Sequence, residues 1–581
     1  MPATLRQPHF ALLLGLAWLL AVVQLVAQHW AVTAQTLLDT DDAMRLVQMR
    51  DWLAGQGWYD LTQRRLAGGY ESHWSRLIDA GLAGTLWVFS LVAEPAMAER
   101  LMRTVWPMLW LLPTMGGAAA IAWRIAGRDA ALIALLLGVL GFHALYQFRP
   151  GRIDHHNVQI ALSMLLVAAT VWSDRARWAA AAAGAITGVA LAIGLECLPY
   201  LIVCGVAFAL RHVLDASASR ASRDYGLALA VSSLVGFFAV VGPAHWSRGF
   251  CDAIGINWVA LAGIGGLGLA LAAQWPPPTW RARLAAVTAI AAAAVLAFLW
   301  FEPSCLRGPY AQMMPELHAI WLDHVPEMQP LLRELAKSPL AAVAIATFPA
   351  VAVLAAILLL RDPLVRRDPA FLLACAALLA GVLTTLAAIK GYSYATWAGM
   401  PLVAVFGLRL FALLRLTSLL PRVAVGLLLT PALLSIGAVT IADAASFGHG
   451  NDNASERSCR DTANYAGLAA LPPGLVAGNI QVGPFLLALT PHTVLAAPYH
   501  RTSGIATAHA IFAAPPDVAH RTLRERKVAY VMVCGSRGPY GLTERERAAS
   551  LWTELNRGEV PAWLERVNPR ELSIAAYRVR P

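Results

Sequence analysis

Seven consecutive residues, Gly151 to Asn157, set a carboxylate and two imidazoles (Asp154, His155 and His156) between two long apolar runs. Polar groups at the edge of a bilayer are costly to desolvate and are generally paired or functional. An Asp-x-His spacing lets one short loop offer an oxygen and a nitrogen to the same cation, and Mn²⁺, Mg²⁺ or Zn²⁺ accepts such a mixed set. The alternative is structural, since Asp at an N-cap accepts a backbone N–H of the following helix. Upstream, Asp39, Asp41 and Asp42 crowd within four positions. Carboxylates packed this tightly repel, and a cation relieves the repulsion; aspartates in a first helical turn also suit the helix dipole. His73, between a glycine turn and Trp74, is either a further metal nitrogen or an interfacial anchor. Glu327, beside two prolines, either orients or deprotonates an acceptor nucleophile or is solvated surface. Lys390, at the end of an apolar span, suits a phosphate or an anionic head group, and would otherwise simply snorkel. Glu196 falls near the same surface with no role fixed by its surroundings.

The elements that must carry these residues are mostly apolar. Of 581 residues, 58% are hydrophobic and 14% charged, which excludes an ordinary soluble domain and predicts a mainly α, polytopic membrane protein. The formal charge of +10 is not a nucleic-acid signal, because the arginines fall in short clusters between apolar runs. Apolar spans recur at 10–34, 103–125, 129–147, 157–173, 178–195, 198–212, 224–243, 256–274, 284–301, 339–360, 369–389, 394–414 and 423–442, about thirteen in all. Each is roughly long enough for about 30 Å of hydrocarbon. The stretch Leu77 to Val92 is weakly apolar and suits the interface.

Arginine-rich loops alternate with the rest, which predicts a cytoplasmic N-terminus, next to Arg6, in a bacterial or archaeal inner membrane. The loops 35–76, 151–156 and 302–338, with Glu196 and Lys390, then gather on the outer face. The membrane part is read as 1–443. The region 444–581 would follow on the outer side as a small α/β domain, opening with a polar linker from Gly448 to Arg457. Buried strands are expected at Val476 to Gly478, Thr493 to Ala496 and Val528 to Val533, and helices at Pro484 to Leu489 and Pro516 to Arg526. Cys459 and Cys534 can pair if that domain is extracytoplasmic, whereas Cys197, Cys204 and Cys375 read as core residues.

An acidic motif in the first outer loop, an Asp-His-His motif after the third span, a glutamate in a long loop before the tenth and a C-terminal outer domain together resemble the catalytic subunit of oligosaccharyltransferases. These are C-type membrane glycosyltransferases, and the Asp-His-His form is similar to the archaeal branch. The resemblance implies a divalent metal, Mn²⁺ or Mg²⁺, on Asp41, His73, Asp154 and His156. It implies that Glu327 holds the acceptor and that Lys390 stands where an arginine usually meets the donor phosphate, losing bidentate geometry. Arg152 is a second candidate for the phosphate, and Asp39, Asp42, His155 and Glu196 are supporting candidates. The family's Trp-Trp-Asp-Tyr-Gly motif, which reads the Asn-x-Ser/Thr acceptor, has its nearest counterpart in Asn479 to Gly483, which lacks both Trp, the Asp and the Tyr.

The chemistry expected is transfer of a sugar from a polyprenyl-phosphate or -pyrophosphate donor in the membrane to a protein or glycolipid acceptor. A cation would stabilise the charge that develops on the leaving phosphate, and Lys390 would add a second positive contact. Asp41, Asp154 and Glu327 are the expected catalytic carboxylates. A flippase of lipid-linked sugars is the alternative from another class. It would place its polar groups near the membrane midplane in paired repeats.

Overall fold

In the computed structural model, residues 8–363, 365–444, 458–535, 538–569 and 571–580 are described. Arg6 and the linker Gly448 to Arg457 lie outside them. Eight helices are long and apolar enough to cross a membrane, and two bent helix pairs bring the number to ten if each pair is one span. Three further membrane-part helices, His156–Trp172, Arg177–Ile193 and Leu198–Leu214, are apolar but only 17 residues long. The expected thirteen crossings are therefore reached only if these shorter helices also count, each falling short of the ~20 residues a perpendicular span needs.

One bent pair decides where the Asp-His-His loop starts. The expected span 129–147 breaks after Arg128–Val139 and turns by 72° into the 3₁₀ segment Phe142–Phe148. Gly141 supplies the corner, and Phe142 follows it with φ +48°. A 3₁₀ segment rises faster per residue than an α-helix, so it carries the chain quickly toward Arg149 and the motif. Leu77 to Val92 becomes the helix Arg76–Ser90, whose inner face buries Ile78 and Leu82 while Trp87 and Val92 stay exposed.

The first loop is pinned from below. Asp79 is fully buried and holds Arg45 at 3.1 Å, Arg76 at 3.1 Å and Gln48 at 2.7 Å. Two short strands, β1 (Thr62–Gln63) and β2 (Tyr70–Glu71), pair antiparallel and deliver His73. The C-terminal region forms a five-stranded sheet from β3 (Leu475–Gly478), β4 (Thr493–Val494), β5 (Val528–Cys534), β6 (Leu564–Arg566) and β7 (Ile574–Val579), in the order β4-β3-β5-β7-β6. β3 runs parallel to β4 and β5, with the helices Gly483–Leu489, Gly504–Ala513 and Pro516–Glu525 in the crossovers, whereas β7 is antiparallel to both neighbours.

This domain sits on the first loop through backbone contacts. The Ala67 amide donates to the Val494 carbonyl and the Val494 amide to Arg65, both at 2.8 Å. Arg50 reaches the Ala488 carbonyl at 2.7 Å. Two disulfides staple the same face. Cys459–Cys534 ties the start of the domain to β5, and Cys251–Cys305, which the sequence does not announce, ties the loop before the helix Ile256–Gln274 to the long loop 302–338.

Candidate active site

Gly151 lets the motif loop turn. Its φ is +99°, and a Cβ there would come within 2.9 Å of Leu38. Beyond it Arg152 is buried and meets three carboxylates: Asp42 at 2.9 Å, Asp39 at 3.0 Å and Asp154 at 2.6 Å. Asp42 also accepts the backbone amides of Ile153 (2.7 Å) and Asp154 (3.2 Å). Arg152 and Asp42 therefore lock the two acidic motifs together. Arg152 is committed to these carboxylates and does not line the cavity where a donor phosphate would bind.

Asp154 faces inward from the same knot. Its Oδ1 accepts the His156 amide at 3.0 Å, so it does serve the start of the helix His156–Trp172, while its Oδ2 stands 2.8 Å from His156 Nδ1. Burial opposes its ionisation, but Arg152 and His156 outweigh burial and hold it below the usual carboxylate range. The opposite nitrogen, His156 Nε2, lies 3.1 Å from Glu196 Oε2, and Glu196 Oε1 lies 2.6 Å from Lys390 Nζ. His155 stacks on His156 with ring centroids 4.7 Å apart. Burial, and then His156 beside it, push the His155 imidazole down to about 3, so it is neutral, and its buried Nδ1 has no partner among the described residues.

These groups open onto a cavity of about 540 Å³ between the membrane helices, the loop 302–338 and the C-terminal domain. Asp39, Asp41, His73, His155, His156, Glu196, Glu327 and Lys390 all line it, whereas Asp42, Arg152 and Asp154 stand behind the wall. Asp39 occupies the N-cap position of the helix Thr40–Leu53 yet makes no side-chain capping bond. Asp41, in the first turn, makes no hydrogen bond or ion pair among the described residues. Burial first, then Asp39 and Glu327, raise its carboxyl well above the usual range. Glu327 is raised by burial as well. It is brought toward Lys390 because the Ile389 amide donates to the Gln329 carbonyl at 2.9 Å. Unpaired carboxylates facing one another across a partly buried cavity are an electrostatic arrangement that a cation would relieve.

His73 belongs to a second group. Its ring centroid is 4.7 Å from that of His500, and His73, Asp252 and His500 offer ligand atoms within 4.8 Å of one another. Asp252 is engaged by His500 at 2.6 Å and by Arg501 at 2.6 Å. His155, His156 and Glu196 form the other set of ligand atoms within 4.8 Å. The four residues expected to share a metal are thus distributed as His156 and Asp41 on the cavity wall, Asp154 behind His156, and His73 beside Asp252 and His500. Sequence reasoning missed Asp252, His500 and Tyr499, whose hydroxyl donates to the Thr40 carbonyl at 3.0 Å. Their only signal was that Asp252 follows a cysteine.

No protein-family profile matches the chain, and no curated protein matches it either. Solved structures do. The chain superposes on the archaeal oligosaccharyltransferase AglB from Archaeoglobus fulgidus, solved with an inhibitory peptide and a dolichol-phosphate, with TM-score 0.69 at 12% identity, over 98% of this chain and 80% of that one. A structure of the Archaeoglobus fulgidus oligosaccharyltransferase tethered to an acceptor peptide containing the NVT sequon matches with TM-score 0.66 at 14% identity, over 91% and 69%. A complex of that enzyme with Zn and sulfate matches with TM-score 0.62 at 14% identity, over 90% and 67%.

Proposed function

We propose that this multi-pass membrane protein, which shares its fold with the archaeal oligosaccharyltransferase, uses the cavity to transfer a sugar from a polyprenyl-phosphate or -pyrophosphate donor to an acceptor, with a divalent cation. The observation that carries the reading is the convergence of Asp41, His156, Glu196, Glu327 and Lys390 on one cavity from five separate stretches of sequence. A structural protein has no use for unpaired carboxylates there. The relatives in this fold were solved with dolichol-phosphate, with an acceptor peptide, and with Zn and sulfate, which fits a phosphate-bearing lipid, an acceptor and a cation.

The donor set fits a cation. Neutral imidazole nitrogen and carboxylate oxygen suit Mn²⁺, Mg²⁺ or Zn²⁺, His155 carries an orphaned ring nitrogen and Asp41 an unpaired carboxylate. His155, His156 and Glu196, whose ligand atoms lie within 4.8 Å of one another, would hold the ion, and Asp41 on the wall of the same cavity would join by closing on them. His73 would join only by leaving Asp252 and His500. Asp154 would orient His156 from behind, as second carboxylates do for metal-binding histidines. When bound, the ion supplies Lewis-acid stabilisation of the negative charge that grows on the leaving phosphate.

The remaining chemistry falls to side chains. The bond between the anomeric carbon and the phosphate oxygen breaks with its electron pair going to that oxygen, and Lys390 meets the charge. A bond from the acceptor nucleophile to the same carbon forms, and the acceptor proton passes to a carboxylate. Glu327, on the wall of the same cavity, would take that proton. The counterpart of the sequon-reading motif, Asn479 to Gly483, lines the cavity through Asn479 to Val482, without the motif's aromatic and acidic residues. A glycolipid or polysaccharide acceptor is therefore favoured over a protein asparagine.

The test is metal content and metal-dependent consumption of a lipid-linked sugar by purified protein, wild type against His156→Ala. Wild type is expected to bind metal and consume donor, and the variant to do neither. Equal behaviour of the two would remove the reading and bring the flippase alternative forward.

A further inference from the structure

The basic groups around this cavity are unequally engaged. Among the described residues one lysine and one arginine line it, Lys390 and Arg460. Glu196 holds Lys390 at 2.6 Å. The other arginines close to the site are committed to carboxylates: Arg152 to Asp39, Asp42 and Asp154, Arg501 to both oxygens of Asp252, and Arg45 and Arg76 to Asp79. Arg460 is the exception. Its Nη1 donates to the Leu38 carbonyl, while its Nε and Nη2 make no hydrogen bond or ion pair among the described residues. The backbone on either side of it is fixed. Cys459 is tied to Cys534 in β5, Asp461 bridges to Thr36, and Thr462 reaches the Gln35 carbonyl through its amide at 2.8 Å and its hydroxyl at 3.0 Å. Leu38 stands three residues before Asp41, so this clamped stretch carries the guanidinium to the cavity wall beside the first acidic motif. Asp39 senses it there: burial pushes that carboxyl up, and Arg152, then Arg460, hold it below the usual range. Its ion pair, however, is with Arg152.

We infer that Arg460 is the residue through which the C-terminal domain binds the phosphate of the donor. The inference rests on the glycosyltransferase reading above and adds a residue to it, whether the donor carries one phosphate or two. A half-buried guanidinium whose only partner is a neutral carbonyl lacks the counter-charge that cations removed from water generally have. A phosphate supplies that charge. The planar fork offers two parallel N–H bonds to an oxyanion, which the point charge of Lys390 does not. Lys390 stands at the start of the helix Tyr392–Leu413 and Arg460 on the C-terminal domain, so the two cations address the cavity from separate walls. Phosphate oxygens turned toward one leave others for the second. When the bond to the anomeric carbon breaks and its electron pair stays on the phosphate oxygen, Arg460 keeps all its protons and meets the growing charge with hydrogen bonds already in place. The C-terminal domain thereby takes part on the donor side of the reaction. The competing account is that Arg460 only fastens this domain to the first loop through Leu38.

The experiment measures binding of polyprenyl phosphate and of polyprenyl pyrophosphate to the full-length protein in lipid nanodiscs with Mn²⁺, beside thermal unfolding. Arg460→Gln should weaken whichever lipid the wild type binds more tightly by about 10- to 100-fold. Arg460→Lys keeps the charge and loses the fork, and should fall between Arg460→Gln and wild type. Thr462→Val removes the neighbouring hydroxyl bond to the first loop and should lower the unfolding temperature while lipid affinity stays near wild type. If Arg460→Gln lowers stability as Thr462→Val does, and lipid affinity is unchanged or falls equally in both, Arg460 is only a fastener and the inference is overturned. So it is if Arg460→Gln binds the lipid as wild type does but needs more acceptor for turnover, because the guanidinium then serves an anion on the acceptor. In both cases the glycosyltransferase reading survives. Should Arg460→Gln fail to fold, Arg460→Lys decides: weaker lipid binding supports the inference and wild-type affinity overturns it. If folded wild-type protein binds neither lipid, the donor reading itself falls, and this inference with it.

Discussion

Two acidic clusters lie back to back at this site, built from the same residue types and behaving in opposite ways. Behind the cavity wall, Arg152 gathers Asp42 and Asp154 and reaches Asp39 on the wall itself, and two backbone amides complete Asp42. On the cavity side, Asp41 and Glu327 have no basic partner within ion-pair distance among the described residues, and Glu196 shares itself between Lys390 and His156. Burying a charge is tolerated when it is paired and hydrogen-bonded. The first cluster meets that condition and is architecture. The second does not, and its unmet groups are what a cation, a phosphate and an acceptor would satisfy. Asp41 and Asp42 are adjacent in sequence and fall on opposite sides of this division.

The sharpest way to break the comparison is to neutralise one member of each side. Asp41→Asn should cut turnover by about 10³-fold, the scale at which removal of a catalytic electrostatic or acid–base group is felt. Its melting temperature should stay near wild type, since no hydrogen bond or ion pair is lost. Arg152→Met should do the reverse in kind. It leaves Asp42 and Asp154 buried without their counter-charge and should destabilise the protein by about 3–5 kcal/mol. Adding Asp42→Asn should restore part of that loss, measured as thermal unfolding in detergent. If Arg152→Met left stability intact and only lowered donor affinity, Arg152 would be a phosphate ligand after all and the division between the clusters would be wrong.

A weaker effect separates the disulfide from the cavity it borders. Cys251→Ser with Cys305→Ser opens a link across 54 residues and should cost about 2–4 kcal/mol in stability. The loop carrying Asp252 would loosen, so His73 would be freed from Asp252 and His500. Metal content should then stay the same or rise if His73 is a latent ligand of the cation at His156, and metal analysis of the double variant checks this.

The division was only partly legible in the sequence. Hydropathy is a strong local signal, and it exposed the apolar helices of the membrane part and a C-terminal α/β region in which β3, β4 and β5 lie at the expected positions, whereas β6 and β7 went unread. Motif spacing picked out loops that meet at one cavity. It could not say which of Asp39, Asp41 and Asp42 points where, because a helix turns about 100° per residue and the partner, Arg152, is more than a hundred positions away. Glu196 had no motif around it, and its meaning comes only from the approach of Lys390, 194 residues later. Asp252 and His500 were invisible for the same reason: each is ordinary in its own stretch and becomes notable only once three separate loops meet. The bend at Gly141 was hidden because hydropathy continues unbroken through it.

The smallest predicted effect concerns how the C-terminal domain bears on the open cluster. Tyr499 is buried, stacks on Tyr70 at 5.2 Å and donates its hydroxyl to the Thr40 carbonyl at 3.0 Å. That carbonyl belongs to the first turn of the helix that carries Asp41, so the hydroxyl fixes the height of Asp41 relative to the cavity floor. Tyr499→Phe keeps the ring and its stacking and removes only this bond, which should cost about 1 kcal/mol. If the bond is merely part of the interface between the two regions, turnover should be unchanged. If it positions Asp41, turnover should fall by about threefold to tenfold through weaker cation affinity, an effect recovered by raising the Mn²⁺ concentration. Recovery by metal is the informative result, because it ties the closed, fully bonded side of the site to the open one through a single hydrogen bond that the C-terminal domain supplies.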